Sequence, residues 1–430
     1  MKYIEEMIDF IYQSPSSFNA CENIAKILLQ EDFTELFEKE TFNLQAGHKY
    51  FVRRNDSSIL AFKVPKDLSD LAFNICASHS DAPTFKLKPK NIIKKGNYTV
   101  LNTEGYGGMI ASSWFDRPLS VAGRVIVETK DSVVSKVVNV EKNLCSICNM
   151  PIHINREMNN GYKYNFQKDT LPIIALGEDF DIKTVLANTL KVEADSILTY
   201  DLYLYPREKG YVWGANEEFV SSYHLDDLGC AYTSLQAFLA SDNANTINTF
   251  VCFDNEEVGS LTRQGAASGF MYDNLQRVSK ALNVNLENII SKSIMVSADN
   301  AHAMHPNYQE KYDGNNNCEM NKGIVIKNNA NQSYTSDSLS SAILIKILKK
   351  ANLNYQMFTN RSDVRGGSTL GNISNSQLSI LAVDVGMPQL AMHSANETCG
   401  SVDVEQMIKA LKAYYNTSIR FDGHKYHLSD

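Results

Sequence analysis

The chain of 430 residues has little of several things, and each shortage excludes a class of protein. No apolar run approaches the ~20 residues needed to cross a bilayer, so no membrane-spanning helix is expected. Eight cysteines are too sparse for a disulfide framework. Most of them, such as Cys76 and Cys252, sit inside apolar runs as small hydrophobes. Cys145 and Cys148 form one CxxC without a second pair, which reads as loop or strand cysteines rather than a zinc finger. Lys and Arg total 41 against 49 Asp and Glu, a net charge of -8, and they form no basic block. A nucleic-acid or anionic-membrane partner is therefore not expected. Met1 to Glu6 carries acids where a signal peptide needs a basic flank, so a cytoplasmic protein is expected.

What is present reads as an ordinary globular chain, 43% hydrophobic and 21% charged, long enough for one large domain and a smaller one. Ile4, Met7, Ile8 and Ile11 share one helical face over 2–13; Ser14-Pro15 breaks it, and a second helix restarts with Ser17 as its cap. Residues 50–53 and 59–64 flank Asn55–Ser58 as a hairpin, and 71–77 is a short buried strand. From about 86 to 223, short β-rich segments alternate with turns and one weak helix at 182–190. Strong helical periods return at Asp227 and alternate with strands at 249–253, 293–298, 377–383 and 388–392. Helices are predicted near 272–282, 338–351 and 403–419, the last with an Asp403–Gln406 capping box. The pattern predicts an α/β fold, a mixed but largely parallel sheet covered by helices on both faces. That domain is split into 1–87 and 225–430 by an inserted β-rich domain at 88–224.

Polar clusters follow the apolar strands. His79 and Asp81 follow one, Glu256 and Glu257 a second, Asp299 a third and His393 a fourth, while Asp226-Asp227 opens a helix. In open α/β sheets, sites form beyond the carboxyl ends of strands, so these residues can converge. Singly, each has an ordinary explanation, a helix cap or a satisfied strand-end histidine. Jointly, two histidines and three carboxylates suit two zinc-like ions, each with one histidine and one terminal carboxylate, and sharing a bridging carboxylate. Such ions lie ~3.5–4 Å apart and acidify a shared water, whose proton a free glutamate can take. Asp81 is placed to fix the His79 tautomer.

These residues sit in longer motifs: Ser14–Ala20, Ser78–Pro83, Trp114–Arg117 with Ala122–Val125, Leu225–Leu228, Asp254–Ser260, Ser297–Tyr308 and Pro388–Ser394. In these, nearly end to end, the chain resembles the aspartyl aminopeptidases, dinuclear zinc exopeptidases. The resemblance implies that His79 and His393 each bind one metal, Asp226 bridges, and Glu257 and Asp299 are terminal ligands. Glu256 would be the general base and Asp81 the orienting acid. His153, in Pro151–Ile154, matches a family active-site histidine, either a ligand or a residue reaching from a neighbouring subunit to the substrate. Lys327 and Tyr334 match positions near the substrate pocket, and His302 and His305 read as supporting residues. The resemblance further implies cleavage of N-terminal Asp or Glu from short peptides, a homo-oligomeric cage of twelve chains, and subunit contacts through the inserted domain.

The chain also departs from the family pattern. Ser333 stands where many members have Arg, Val364–Thr369 replaces a Met-Pro-Cys-like segment, and Tyr106–Met109 lacks a third glycine. From the sequence, none of these is expected to touch an implied ligand. They bear on substrate choice, because an acidic side chain needs a cation, and Arg365 or Lys327 is left to supply it. A carboxypeptidase or deacylase on a related scaffold, with Arg365 on the substrate carboxylate, is the rival enzyme. A catalytically retired scaffold is disfavoured because every implied ligand is present.

Overall fold

In the computed structural model, which describes residues 2–177 and 180–429, the apolar runs assemble side by side. Strands Ile247–Phe253, Phe73–His79, Ile294–Ala298 and Leu381–Gly386 lie next to one another, all parallel. They read as near-continuous hydrophobic runs because both faces are covered. Phe250 and Cys252 face one core, with Met7, Leu228, Phe238 and Tyr415; Val251 and Phe253 face the other, with Phe270, Leu275 and Leu378. This is the two-residue period of a strand acting on two helical layers at once.

The hairpin Lys49–Arg54 and Ser58–Lys63 extends this sheet antiparallel on one side, with the short parallel strand Thr34–Leu36 at the edge. On the other side Ile324–Lys327 pairs antiparallel with Leu381–Gly386 and parallel with Tyr355–Phe358. The result is a nine-stranded mixed sheet with a parallel centre. Tyr414, fully buried on the last long helix, Ser401–Asn416, donates its hydroxyl toward the carbonyls of Ile75 and Ile294 and so ties that helix to two central strands.

A six-stranded antiparallel sheet built from residues 84–206 has its own core, including Phe85, Trp114, Val121, Leu202 and Leu204, with helix Ile182–Leu190 packed on it. Strands Tyr211–Trp213 and Phe219–Ser222 belong elsewhere. They pair through Glu397–Gly400 with Pro388–Leu390 and Ala301–His302 in a separate five-stranded sheet.

Local expectations differ from the fold at three places. Ser16, in extended conformation, caps the second helix by accepting from the Asn19 N–H, one residue before the expected Ser17. Residues 370–378 form a helix, so the strand expected at 377–383 starts only at Leu381, after Ser379 closes that helix in the left-handed region. Asp403 does not cap the last helix; its buried carboxylate accepts the N–H groups of Asn321 and Gly323.

Candidate metal centre

Strand register puts the site together. His79 stands opposite Phe253, and the Ser80 N–H donates to the Phe253 carbonyl at 2.9 Å, so both chains leave the sheet at the same level. Beyond Phe253 the backbone turns through Asn255, whose left-handed φ of 65° suits asparagine, into the one-turn helix Glu256–Val258. Asp81 holds that turn. Its Oδ1 accepts the Glu256 N–H at 3.0 Å, and its Oδ2 accepts the Glu257 N–H at 3.1 Å and the Tyr106 hydroxyl at 2.7 Å. His79 Nδ1 lies 3.0 Å from the Asp81 carbonyl and 3.4 Å from Oδ1. With its proton on Nδ1, the ring turns a free Nε2 inward. Burial works to raise the Asp81 pKa, but the hydrogen bonds from His79 and Tyr106 hold it below the usual carboxylate range.

Asp226 and Asp227 enter at the start of helix Leu225–Leu239, both out of helical geometry and joined by a cis peptide. Asp227 Oδ2 accepts the His79 N–H at 3.1 Å. Asp226 points its two oxygens at two histidines: Oδ1 is 3.7 Å from His79 Nε2, and Oδ2 is 3.4 Å from His393 Nε2. His393 Nε2 also lies 3.3 Å from Glu257 Oε1, while its Nδ1 is held at 2.7 Å by the Gly108 carbonyl. Two ligand groups result, His79 with Glu256 and Glu257, and Asp226 with Glu257 and His393, each with donor atoms within 4.8 Å.

These groups fit metal ions. Asp226 Oδ1 is buried without a hydrogen-bond partner, a costly state that a cation would relieve. Burial, then Asp299 and Glu257, push the Glu256 pKa up to about 8; burial, then Asp226, push Glu257 up to about 7. His393 rises to about 12 because hydrogen bonds to Asp226 and Glu257 outweigh its burial. A metal ion bound by these groups would displace such protons. Mixed nitrogen and oxygen donors suit zinc.

The other expected residues are dispersed. Asp299 lies outside both ligand groups, its Oδ1 3.2 Å from Lys327 Nζ. It stays within the field of the site, since it raises the pKa of Glu256 and Asp227. Lys327 is buried, reaches the Asn300 carbonyl at 3.1 Å and lies over the Tyr334 ring at 5.2 Å. Arg365 is exposed in the segment after Val364, and His153 is exposed in the Pro151–Ile154 turn of the six-stranded unit. His302 places Nε2 3.1 Å from Met392 Sδ, at the rim of the crevice. Glu397, passed over in the sequence, accepts the backbone N–H groups of both Asp226 and His393. Its only sequence signal is an acid four residues beyond a ligand histidine. Cys145 is buried and Cys148 exposed, both as free thiols.

Known proteins resemble this chain in sequence and fold. A family model described as Aminopeptidase I zinc metalloprotease (M18) matches residues 10–415. The chain is 44% identical over 429 residues to a probable M18 family aminopeptidase 2 of Clostridium novyi, covering 97% of this chain and 99% of that one. Against the protein of the same description in Pseudomonas aeruginosa it is 37% identical over 421 residues, covering 96% and 97%. The solved S. cerevisiae mApe1 dodecamer superimposes with a TM-score of 0.85 at 26% identity, over 96% of each chain. With its profile matched from residue 10 to 415, the chain belongs to the aminopeptidase I zinc metalloprotease (M18) family.

Proposed function

We propose that this aminopeptidase removes an N-terminal Asp or Glu from short peptides with the help of two zinc ions. The observation that carries the reading is the Asp226 carboxylate, whose oxygens face His79 on one side and His393 on the other. In the proposal, Asp226 bridges, His393 and Glu257 complete one site, and His79 completes the other with Asp299. For Asp299 to ligate, it must share its carboxylate with Lys327, whose contact engages Oδ1. Zinc bound there supplies Lewis acidity that polarises the scissile carbonyl and acidifies water.

The remaining work falls to side chains. Glu256 would take a proton from the attacking water and deliver it to the leaving amine. Its backbone is fixed by Asp81, and in the metal-free chain burial raises its affinity for a proton. The substrate's free amine would lie against a metal ion and a carboxylate, which sets an aminopeptidase apart from a carboxypeptidase. Of the cations named for an acidic substrate side chain, Lys327 is neutralised by Asp299, whereas Arg365 is exposed and stands in the departing segment. His153, exposed on the six-stranded unit built from residues 84–206, would complete a neighbour's site in a homo-oligomer. Among the described residues no helix is long and apolar enough to cross a membrane. Eight free cysteines, seven of them buried, suit the reducing cytoplasm.

A panel of Asp-, Glu-, Leu- and Lys-amides, each with a free and a blocked amine, with and without chelator, tests the proposal. Cleavage of free Asp- and Glu-amides alone, abolished by chelator, is expected. Equal cleavage of Leu-amide would overturn the specificity, and cleavage of blocked substrates would overturn the aminopeptidase mechanism.

A further inference from the structure

The two ligands that share one group, Asp226 and His393, come from distant parts of the chain, yet their backbones are held by a single side chain. Glu397 Oε2 accepts the Asp226 N–H at 2.8 Å, and Glu397 Oε1 accepts the His393 N–H at 2.6 Å. Glu397 is 1% exposed. It is itself anchored in the sheet, because Glu397 pairs with Ser222 at the end of the strand that leads through His224 into Asp226. Neither N–H has a place in regular structure. Asp226 is non-helical at φ -89°, ψ 105°, and His393 stands in the left-handed region at φ 67°. A non-glycine residue keeps that conformation only where its surroundings hold it.

We infer that Glu397 is a positioning residue for the metal centre, a two-oxygen clamp that fixes the spacing between the Asp226 carboxylate and the His393 imidazole before metal arrives. It touches neither substrate nor metal. Its effect comes through the ligands: groups already held in place lose less freedom on binding an ion, so affinity rises. The clamp does not depend on Asp299 or on the substrate; it rests on the zinc reading only for its consequence.

Glu397→Gln tests it, since the amide can accept one of the two N–H groups but turns its own N–H toward the other. Competition with a fluorescent zinc chelator should show zinc held about 10–100-fold more weakly than in the parent. A parental zinc affinity in the folded variant, even with a lowered melting temperature, would reduce Glu397 to a structural residue and overturn the inference. Hydrogen exchange on the parent, stripped of zinc, supplies a readout that needs no variant. Peptides containing Asp226 and His393 should exchange slowly without metal. Rapid exchange there would show that the clamp forms only with zinc and would also overturn the inference. A parent that binds no zinc would instead refute the proposed function, while the exchange pattern would still decide the clamp.

Discussion

The backbone N–H of Glu256 donates to Asp81 Oδ1 at 3.0 Å, so the acid that orients His79 also fixes the main chain of the candidate general base. One carboxylate therefore serves both halves of the site. Replacing it with an amide, Asp81→Asn, leaves an acceptor for only part of that set and weakens the hold on the His79 ring. Zinc affinity is expected to fall by about 10–100-fold, read by chelator competition. An unchanged affinity would confine Asp81 to the turn.

Glu256→Gln separates proton transfer from metal binding. Turnover of the preferred aminoacyl-amide should fall by about 10²–10⁴-fold, with zinc content equal to that of the parent. Loss of zinc in that variant would make Glu256 a ligand, in keeping with its place beside His79 and Glu257.

Zinc binding should be linked to pH. In the metal-free chain Glu257 keeps its proton up to about 7 and His393 up to about 12. Zinc must displace these protons, so its affinity rises with pH and falls on acidification, by about tenfold per pH unit for each proton displaced. Titration calorimetry in buffers of different ionisation enthalpy should show proton release. Binding without proton release would mean the ligands are already deprotonated.

A stability effect away from the metal follows from Asp403. Burial raises its pKa to about 7, against the N–H groups of Asn321 and Gly323 that lower it. The folded chain thus holds a proton that the unfolded chain releases near 4. That contribution is fully present below the unfolded value and is lost as pH rises through about 7. Melting of zinc-free protein should therefore decline from pH 5 to 8, and Asp403→Asn should decline less steeply. Parallel declines would show Asp403 ionised throughout.

His79, Glu256 and Glu257 were legible in the sequence because they end or follow neighbouring parallel apolar strands, which deliver their ends to one edge, whereas His393 follows Pro388–Leu390 of the separate five-stranded sheet. The sheet centre was legible for the same reason, since runs such as Thr249–Phe253 have no polar face. Glu397 was not, because its work is done by two backbone contacts to residues 171 and 4 positions away. Nor was the Lys327–Asp299 pair, which depends on the antiparallel pairing of Ile324–Lys327 with Leu381–Gly386. The strand at 219–222 was obscured by its distant partner at 397–400, and 211–213, which pairs with 219–222, by a short mixed sequence that carries no period of its own.

In the proposed function, His79, Asp226, Glu257, Asp299 and His393 would hold two metal ions that support the hydrolysis. Metal content per chain, measured alongside Asp-amide hydrolysis during stepwise zinc return to stripped protein, tests it most directly. Two zinc ions per chain at saturation, with activity absent from the stripped protein and complete only when the second ion is bound, is the predicted result. Full activity at one ion per chain, or in protein containing none, would contradict it.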